Sequence, residues 1–151
     1  MIIVIDIGNS TVVLSGIREE QTLFSGEVDT HREWGREKYI AALQPILRGV
    51  SCRGAIVSSV VPPVTQAVCD AVAALLGVEP MLVTAQSKTG LTLDLPEKEK
   101  VGRDRLVDAA WAASRYPLPA VTADLGTATT LNLILPGGVF AGGIICAGIQ
   151  T

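Results

Sequence analysis

The sequence predicts a mixed α/β fold: one domain over residues 1–117, then the opening strands of a second, related domain over 118–151. Three observations point there. Apolar strand-like runs alternate with helix-like segments along the first 117 residues. A carboxylate–glycine turn between two strands occurs twice, as "DIGNST" at 6–11 and "DLGTATT" at 124–130. The composition is 48% hydrophobic but only 4% aromatic, with 15 glycines, which suits Val/Ile/Ala-rich strands and tight turns. A chain of 151 residues is long enough to bury a substantial core.

Residues 2–7 are a continuous apolar run, the pattern of a central strand covered on both faces. "TVVLSGI" (11–17) and "QTLFSGEV" (21–28) follow as strands around the charged turn "REE", completing a three-strand meander. "EWGREKYIAALQPIL" (33–47) carries Trp34, Tyr39, Ile40 and Leu43 at helical spacing. "GAIVSSVV" (54–61) is a strand ending at Pro62-Pro63, and 64–77 is a helix closed by Gly77. "PMLVT" (80–84) is a short strand, 85–101 is irregular and charged, and 103–115 is a helix stopping before Pro117. Strands at 120–126, 127–135 and 138–145 restart the meander.

Several function classes are disfavoured. The net charge is −3, so no basic surface invites nucleic acid or an anionic membrane. Cys52, Cys69 and Cys146 are odd in number and far apart, with no C-x-x-C pair. They read as reduced, buried thiols of a cytoplasmic protein rather than a disulfide framework or zinc site. His31 is the single histidine and sits in the polar stretch "DTHREWGRE", a poor setting for a Ser-His or Cys-His base. The N-terminus lacks the basic segment of a signal peptide. Residues 125–151 contain no charge, but Asn132, Pro136-Gly137-Gly138 and Gly142-Gly143 interrupt any membrane helix. The stretch reads as buried strands that stop abruptly, and so as part of a larger fold.

The paired turns carry the chemistry. Gly8 permits close approach of a ligand, and Asn9, Ser10, Thr11 and the turn amides offer donors for phosphate oxygens. Asp6 can hold Mg²⁺ directly or through water. Asp124, Gly126, Thr127, Thr129 and Thr130 repeat the set. Either turn alone also fits an ordinary Asx–Gly hairpin; two copies, each between apolar strands, favour a binding role. No Walker-type G-x-x-x-x-G-K-[ST] loop is present. The densest charge lies in "DLPEKEKVGRDR" (94–105). There Asp104 either complements a helix start or accepts a proton from a substrate hydroxyl, with Arg103 and Arg105 beside it.

Such paired turns at the heads of duplicated strand–helix domains resemble the actin/hexokinase/Hsp70 superfamily, whose ribonuclease-H-like domains clamp ATP between them. Within it, "DIGNS", "VGRDR", "DLGTATT" and "GGIICAG", in that order, closely resemble type III pantothenate kinase. The resemblance implies a mixed five-stranded sheet with ribonuclease-H strand order. It also implies ATP-dependent phosphorylation of pantothenate, the opening step of coenzyme A synthesis. Asp104 is then the base, with Gly102, Arg103, Asp104 and Arg105 holding pantothenate. Asp6, Ile7, Gly8, Asn9, Ser10, Thr11, Val12 and Val13 line the ATP phosphates, joined by Gly126 and Thr127. Asp124 ligates a monovalent cation, K⁺ or NH₄⁺, alongside Mg²⁺. Family members are homodimers, and their chains are longer than this one.

Four positions depart from the family pattern. Ser10 stands where Thr is frequent. Leu95 stands near a substrate-contacting Tyr position. Asp108 stands at a usual Asn position, one turn from Asp104, and Ala147 replaces a proline. Leu95, Asp108, Ala147 and the short length leave an alternative open: a non-catalytic nucleotide-binding accessory protein of the same fold. A sugar or small-acid kinase or phosphatase of the superfamily is a third reading, against which "VGRDR" weighs.

Overall fold

The computed structural model describes residues 1–148; residues 149–151 of the expected second domain lie outside the described residues. The chain forms two compact units, Met1–Val83 and a second beginning at Thr84.

In the first unit, β1 (Ile2–Ile7), β2 (Thr11–Arg18) and β3 (Gln21–Asp29) form the expected meander. β4 (Ala55–Ser59) and β5 (Met81–Leu82) complete a mixed five-stranded sheet ordered β3-β2-β1-β4-β5. β4 lies parallel to β1, and β5 parallel to β4. The sheet packs with α1 (Arg36–Leu47) and α2 (Pro62–Leu76). Strand alternation sets the core. Ile3, Ile5 and Ile7 are wholly buried from β1, and Val12 and Leu14 from β2. The helices add Tyr39, Leu43, Val64, Val68 and Val72.

α1 contains Pro45, whose missing N–H and ring cost a helix interior about 3 kcal/mol. Burial of Tyr39, Leu43 and Leu47, worth about 1.5–3 kcal/mol for each large apolar side chain, outweighs that cost. The helix begins at Arg36, so Trp34 precedes it. Trp34 stacks on His31, centroids 4.0 Å apart, and meets Tyr39 edge-on. The buried Tyr39 hydroxyl donates to the His31 carbonyl (3.0 Å) and accepts from its N–H (3.1 Å). Burial raises the Tyr39 pKa, partly opposed by that hydrogen bond. His31 is thus a strut for the loop before α1.

α2 starts at Pro62, earlier than the expected residue 64, because first-turn N–H groups need no partner within the helix. Gly77 closes it in the left-handed conformation, as expected.

The second unit holds β6 (Thr92–Leu93), α3 (Arg103–Arg115), β7 (Ala120–Leu125), β8 (Ala128–Leu135) and β9 (Val139–Ala147). β7, β8 and β9 form the second antiparallel meander, and β6 adds to β9 in parallel, giving the order β6-β9-β8-β7. β6 and a short 3-10 turn at Lys98–Lys100 lie inside the segment expected to be irregular. α3 packs on β7 and β8, where Leu106 and Ala109 meet Ile134 and Phe140.

Two expectations about burial are corrected. The uncharged stretch after Leu125 is not uniformly buried. Leu125, at its start, and Ile144 and Ile145 within it are all at least 60% exposed, because the second sheet carries large apolar residues beyond those under α3. Cys146, at the exposed end of β9, is not a buried thiol; Cys52 and Cys69 are half-buried, and all three are free. Burial, reinforced by Asp70 and Glu79, raises the Cys69 thiol pKa.

The β2–β3 hairpin turns at Glu19 (φ 49°) and Glu20 (φ 68°), positive values that favour Asn and Gly. Left-handed backbone costs a non-glycine residue about 1–2 kcal/mol. Replacing Glu19-Glu20 with Asn-Gly should therefore stabilise the protein by about 0.5–1.5 kcal/mol after the entropy of glycine is subtracted. A denaturant midpoint that falls or stays fixed in the double variant would contradict this.

Candidate functional site

The first acidic turn closes when the Gly8 N–H donates to the Thr11 carbonyl at 2.9 Å. A side chain at Gly8 would press on that same oxygen at 3.3 Å. Thr30 braces the turn from the end of β3: its hydroxyl donates to the Gly8 carbonyl (2.8 Å) and its N–H to the Ser10 carbonyl (2.8 Å). Arg32 donates to the Asn9 side chain at 3.0 Å. Asp6 is exposed on the face opposite Ile3, Ile5 and Ile7, in register with Val13 on one side and Ser58 on the other. Ile7 and Val12 point into the core, so only their main chain is open to a ligand.

The second turn is one residue shorter. Ile7 pairs with Val12, whereas Leu125 pairs with Thr129. Asp124 is therefore opposite Thr130, where Asp6 is opposite Val13. Gly126 donates its N–H to the Ala128 carbonyl at 3.1 Å. Asp124, Gly126 and Thr127 are exposed.

Both turns offer hard oxygen donors and few of them. Among the described residues, no three His, Cys, Asp or Glu side chains gather to hold a metal. A cation at Asp6 or Asp124 would need main-chain, water or phosphate oxygens as well, the donor set that Mg²⁺ and other hard cations accept.

The "GRDR" segment lies at the start of α3, with Gly102 as cap and Asp104 in the first turn. The Arg105 N–H donates to Asp104 Oδ1 at 2.7 Å, which folds the carboxylate against the helix start. A side chain at Gly102 would collide with that same oxygen. The glycine serves here by leaving space and not by a positive φ, since its φ is −55°.

The two flanking arginines diverge. Arg103 reaches back and donates to the carbonyls of Val101 (3.0 Å) and Glu99 (3.2 Å), bracing the loop. Arg105 instead runs over the Phe140 ring, its Cζ 5.8 Å from the centroid, and its Nε donates to Asn132 Oδ1. Asn132 is 1% exposed and donates onward to Thr122 Oγ1 at 3.0 Å. Alternation puts Asp124 on the β7 face that carries Thr122.

The site residues thus fall into two sets: residues 6–13 in the first unit, and 102–105 with 124–127 in the second. Asn132 and Thr122 were not singled out from sequence as binding residues, and Thr130, expected among the donors of the second turn, is instead buried. The available signal was one amide inside "TLNLIL", which must find partners if the strand is buried.

The mixed five-stranded sheet, ordered β3-β2-β1-β4-β5, with its helices is a ribonuclease-H-like fold. Similar folds occur in a Campylobacter jejuni protein described as a Baf family transcriptional activator (TM-score 0.54, 15% identity, 98% of this chain and 55% of that one). They also occur in an Aquifex aeolicus Ppx/GppA phosphatase (TM-score 0.53, 16% identity, 99% and 53%). The sequence model described as type III pantothenate kinase matches residues 2–151, and the chain belongs to that family.

Relatives carrying that name are 31% identical in Finegoldia magna, 34% in Halalkalibacterium halodurans and 36% in Listeria monocytogenes serotype 4a. Each alignment covers 99% of this chain, but only 59%, 61% and 60% of those proteins. The chain therefore spans about 60% of the length of the curated relatives it matches.

Gly102→Ala should fold with a loss of about 0.5–1.5 kcal/mol, the worth of one hydrogen bond, because the carboxylate can swing off the Arg105 N–H. In an Asp104→Ala background the same change should cost much less. Denaturant midpoints for the four proteins of this cycle measure the coupling. Equal losses in both backgrounds would mean that Gly102 serves the backbone and not the carboxylate.

Proposed function

We propose that the protein phosphorylates pantothenate with ATP to give 4'-phosphopantothenate, the first step of coenzyme A synthesis. Family membership along residues 2–151 supports the reading. The observation that carries it to a mechanism is the Asp104 carboxylate, held at the start of α3 by the Arg105 N–H.

Asp104 is the general base in this reading. As the pantothenate hydroxyl oxygen bonds to the γ-phosphorus, its proton passes to Asp104, and the bond to the bridging oxygen breaks to release ADP. Gly102 and Arg105 hold pantothenate, with Arg103 securing the loop in front. The turn at 6–13 and the pair Gly126–Thr127 receive the ATP phosphates through main-chain N–H groups and hydroxyls. Mg²⁺, bound through Asp6, and K⁺ or NH₄⁺, bound through Asp124, would supply positive charge to the phosphates.

Residues 118–151 open a second domain of the same kind, a division supported by the repeated meander. The active protein is a homodimer in the cytoplasm. No described helix is long and apolar enough to cross a membrane.

The protein expressed from its natural reading frame should form phosphopantothenate with Mg-ATP, faster in K⁺ than in Na⁺. Asp104→Asn should lower kcat by about 10²–10⁴-fold while leaving ATP binding intact. Its thermal stability should fall by no more than about 0.3–1 kcal/mol, the value of a first-turn carboxylate. Unchanged kcat would remove Asp104 as the base. A wild-type protein that binds ATP but transfers nothing would favour the accessory, non-catalytic alternative.

A further inference from the structure

Among the described residues, three buried polar side-chain atoms lack a hydrogen-bond partner: Ser58 Oγ, Arg105 Nη2 and Thr130 Oγ1. The last two share a region of the second unit. Arg105 donates through Nε to Asn132, and Asn132 and Thr130 lie two residues apart on one face of β8. The Arg105 Nη2 occupies the space where Gly143 carries no side chain; a Cβ there would stand 2.8 Å from it.

The orientation of the Asn132 amide follows from chemistry. An arginine Nε only donates, so the atom facing it is Oδ1. Nδ2 is thereby turned to Thr122 Oγ1, the hydroxyl that accepts from it. The chain Thr122–Asn132–Arg105 links β7 and β8 to the first turn of α3. It fixes the guanidinium from the Nε edge, while Phe140 and Gly143 confine its plane.

We propose that Asn132 is a positioning residue for substrate recognition, acting only through Arg105. The inference rests on the reading that Arg105 holds the carboxylate-bearing substrate. An arginine has several rotatable bonds to immobilise on binding, and one held by its Nε edge enters binding already ordered. Removing the hold should weaken acid binding and leave ATP untouched.

The test uses the protein from its natural reading frame. Asn132→Leu should raise KM for pantothenate by about 10-fold or more, the effect of losing a hydrogen bond to a charged group. KM for ATP and kcat should stay within about twofold. Asn132→Asp keeps the acceptor for Nε and should restore KM to within about threefold of the parent. Thr122→Val, far milder for the fold, should move the same constant in the same direction by a smaller factor. In an Arg105→Lys background, Asn132→Leu should add little.

A pantothenate KM unmoved by Asn132→Leu, or moved equally in both arginine backgrounds, overturns the proposal. If Asn132→Leu does not fold, an unchanged KM in Thr122→Val overturns it. An Arg105→Lys variant with the parental KM would remove instead the assignment of Arg105 to the substrate, and the proposal with it.

Discussion

β1 is hydrogen-bonded along both edges, to β2 antiparallel and to β4 parallel, and the first unit depends on that double pairing. A strand held on two sides cannot slip by one residue without turning Ile3, Ile5 and Ile7 out of the core. The same alternation then forces Asp6 onto the opposite face near the strand end, where Gly8 and Thr11 close the turn. The Asp6 carboxylate is thus placed by the burial of its neighbours. β7 carries Asp124 near its own end, but among the described residues it pairs only with β8, and the flanking Ala123 and Leu125 are exposed, so burial does not place this carboxylate; the shorter turn brings Thr130 opposite it in place of Val13. The second copy is therefore chemically different despite the similar letters. It offers a buried threonine hydroxyl beside its carboxylate register, where the first offers a hydrocarbon.

The first five strands and three helices were legible because hydrophobic period and glycine punctuation agree along that stretch. Boundaries moved where local chemistry overrode the pattern. Pro62 opens α2 because proline suits a first turn, and Trp34 is drawn out of α1 into the stack with His31. β6 was invisible, since two residues carry no period and pair only through β9. The uncharged run after Leu125 misled because lack of charge does not distinguish a buried strand from one whose apolar face is exposed. Ile144 and Ile145 are both exposed there although they are adjacent, so they belong to opposite faces.

Of the candidate site, the motif residues could be named from their order in the chain, but the division of labour among them could not. "GRDR" presents two arginines two positions apart, and nothing in the letters separates them. In the fold, helical geometry aims them differently: Arg103 at the carbonyls of the preceding loop, and Arg105 across the sheet. Asn132, the residue that receives Arg105, lies 27 positions away in a strand pairing that only the tertiary structure creates.

Glycine at two positions shows how such a site is assembled from absent atoms. Gly102 (φ −55°) serves by leaving room for the Asp104 carboxylate to fold back onto the Arg105 N–H. Gly143, paired with Asn132 across β8 and β9, leaves room for the Arg105 guanidinium on one face of the sheet. A methyl group at either would displace a charged side chain. Displacing a flexible carboxylate at the edge of α3 requires only a rotation, because Asp104 is partly exposed. At Gly143 a Cβ would also collide with the Leu131 carbonyl, and main chain cannot rotate away. Substitution at 143 therefore acts on the strand pairing first, and on Arg105 through it. Substitution at 102 reaches the carboxylate with the sheet left intact, which makes Gly102 the position where geometry at Asp104 can be separated from the stability of the fold.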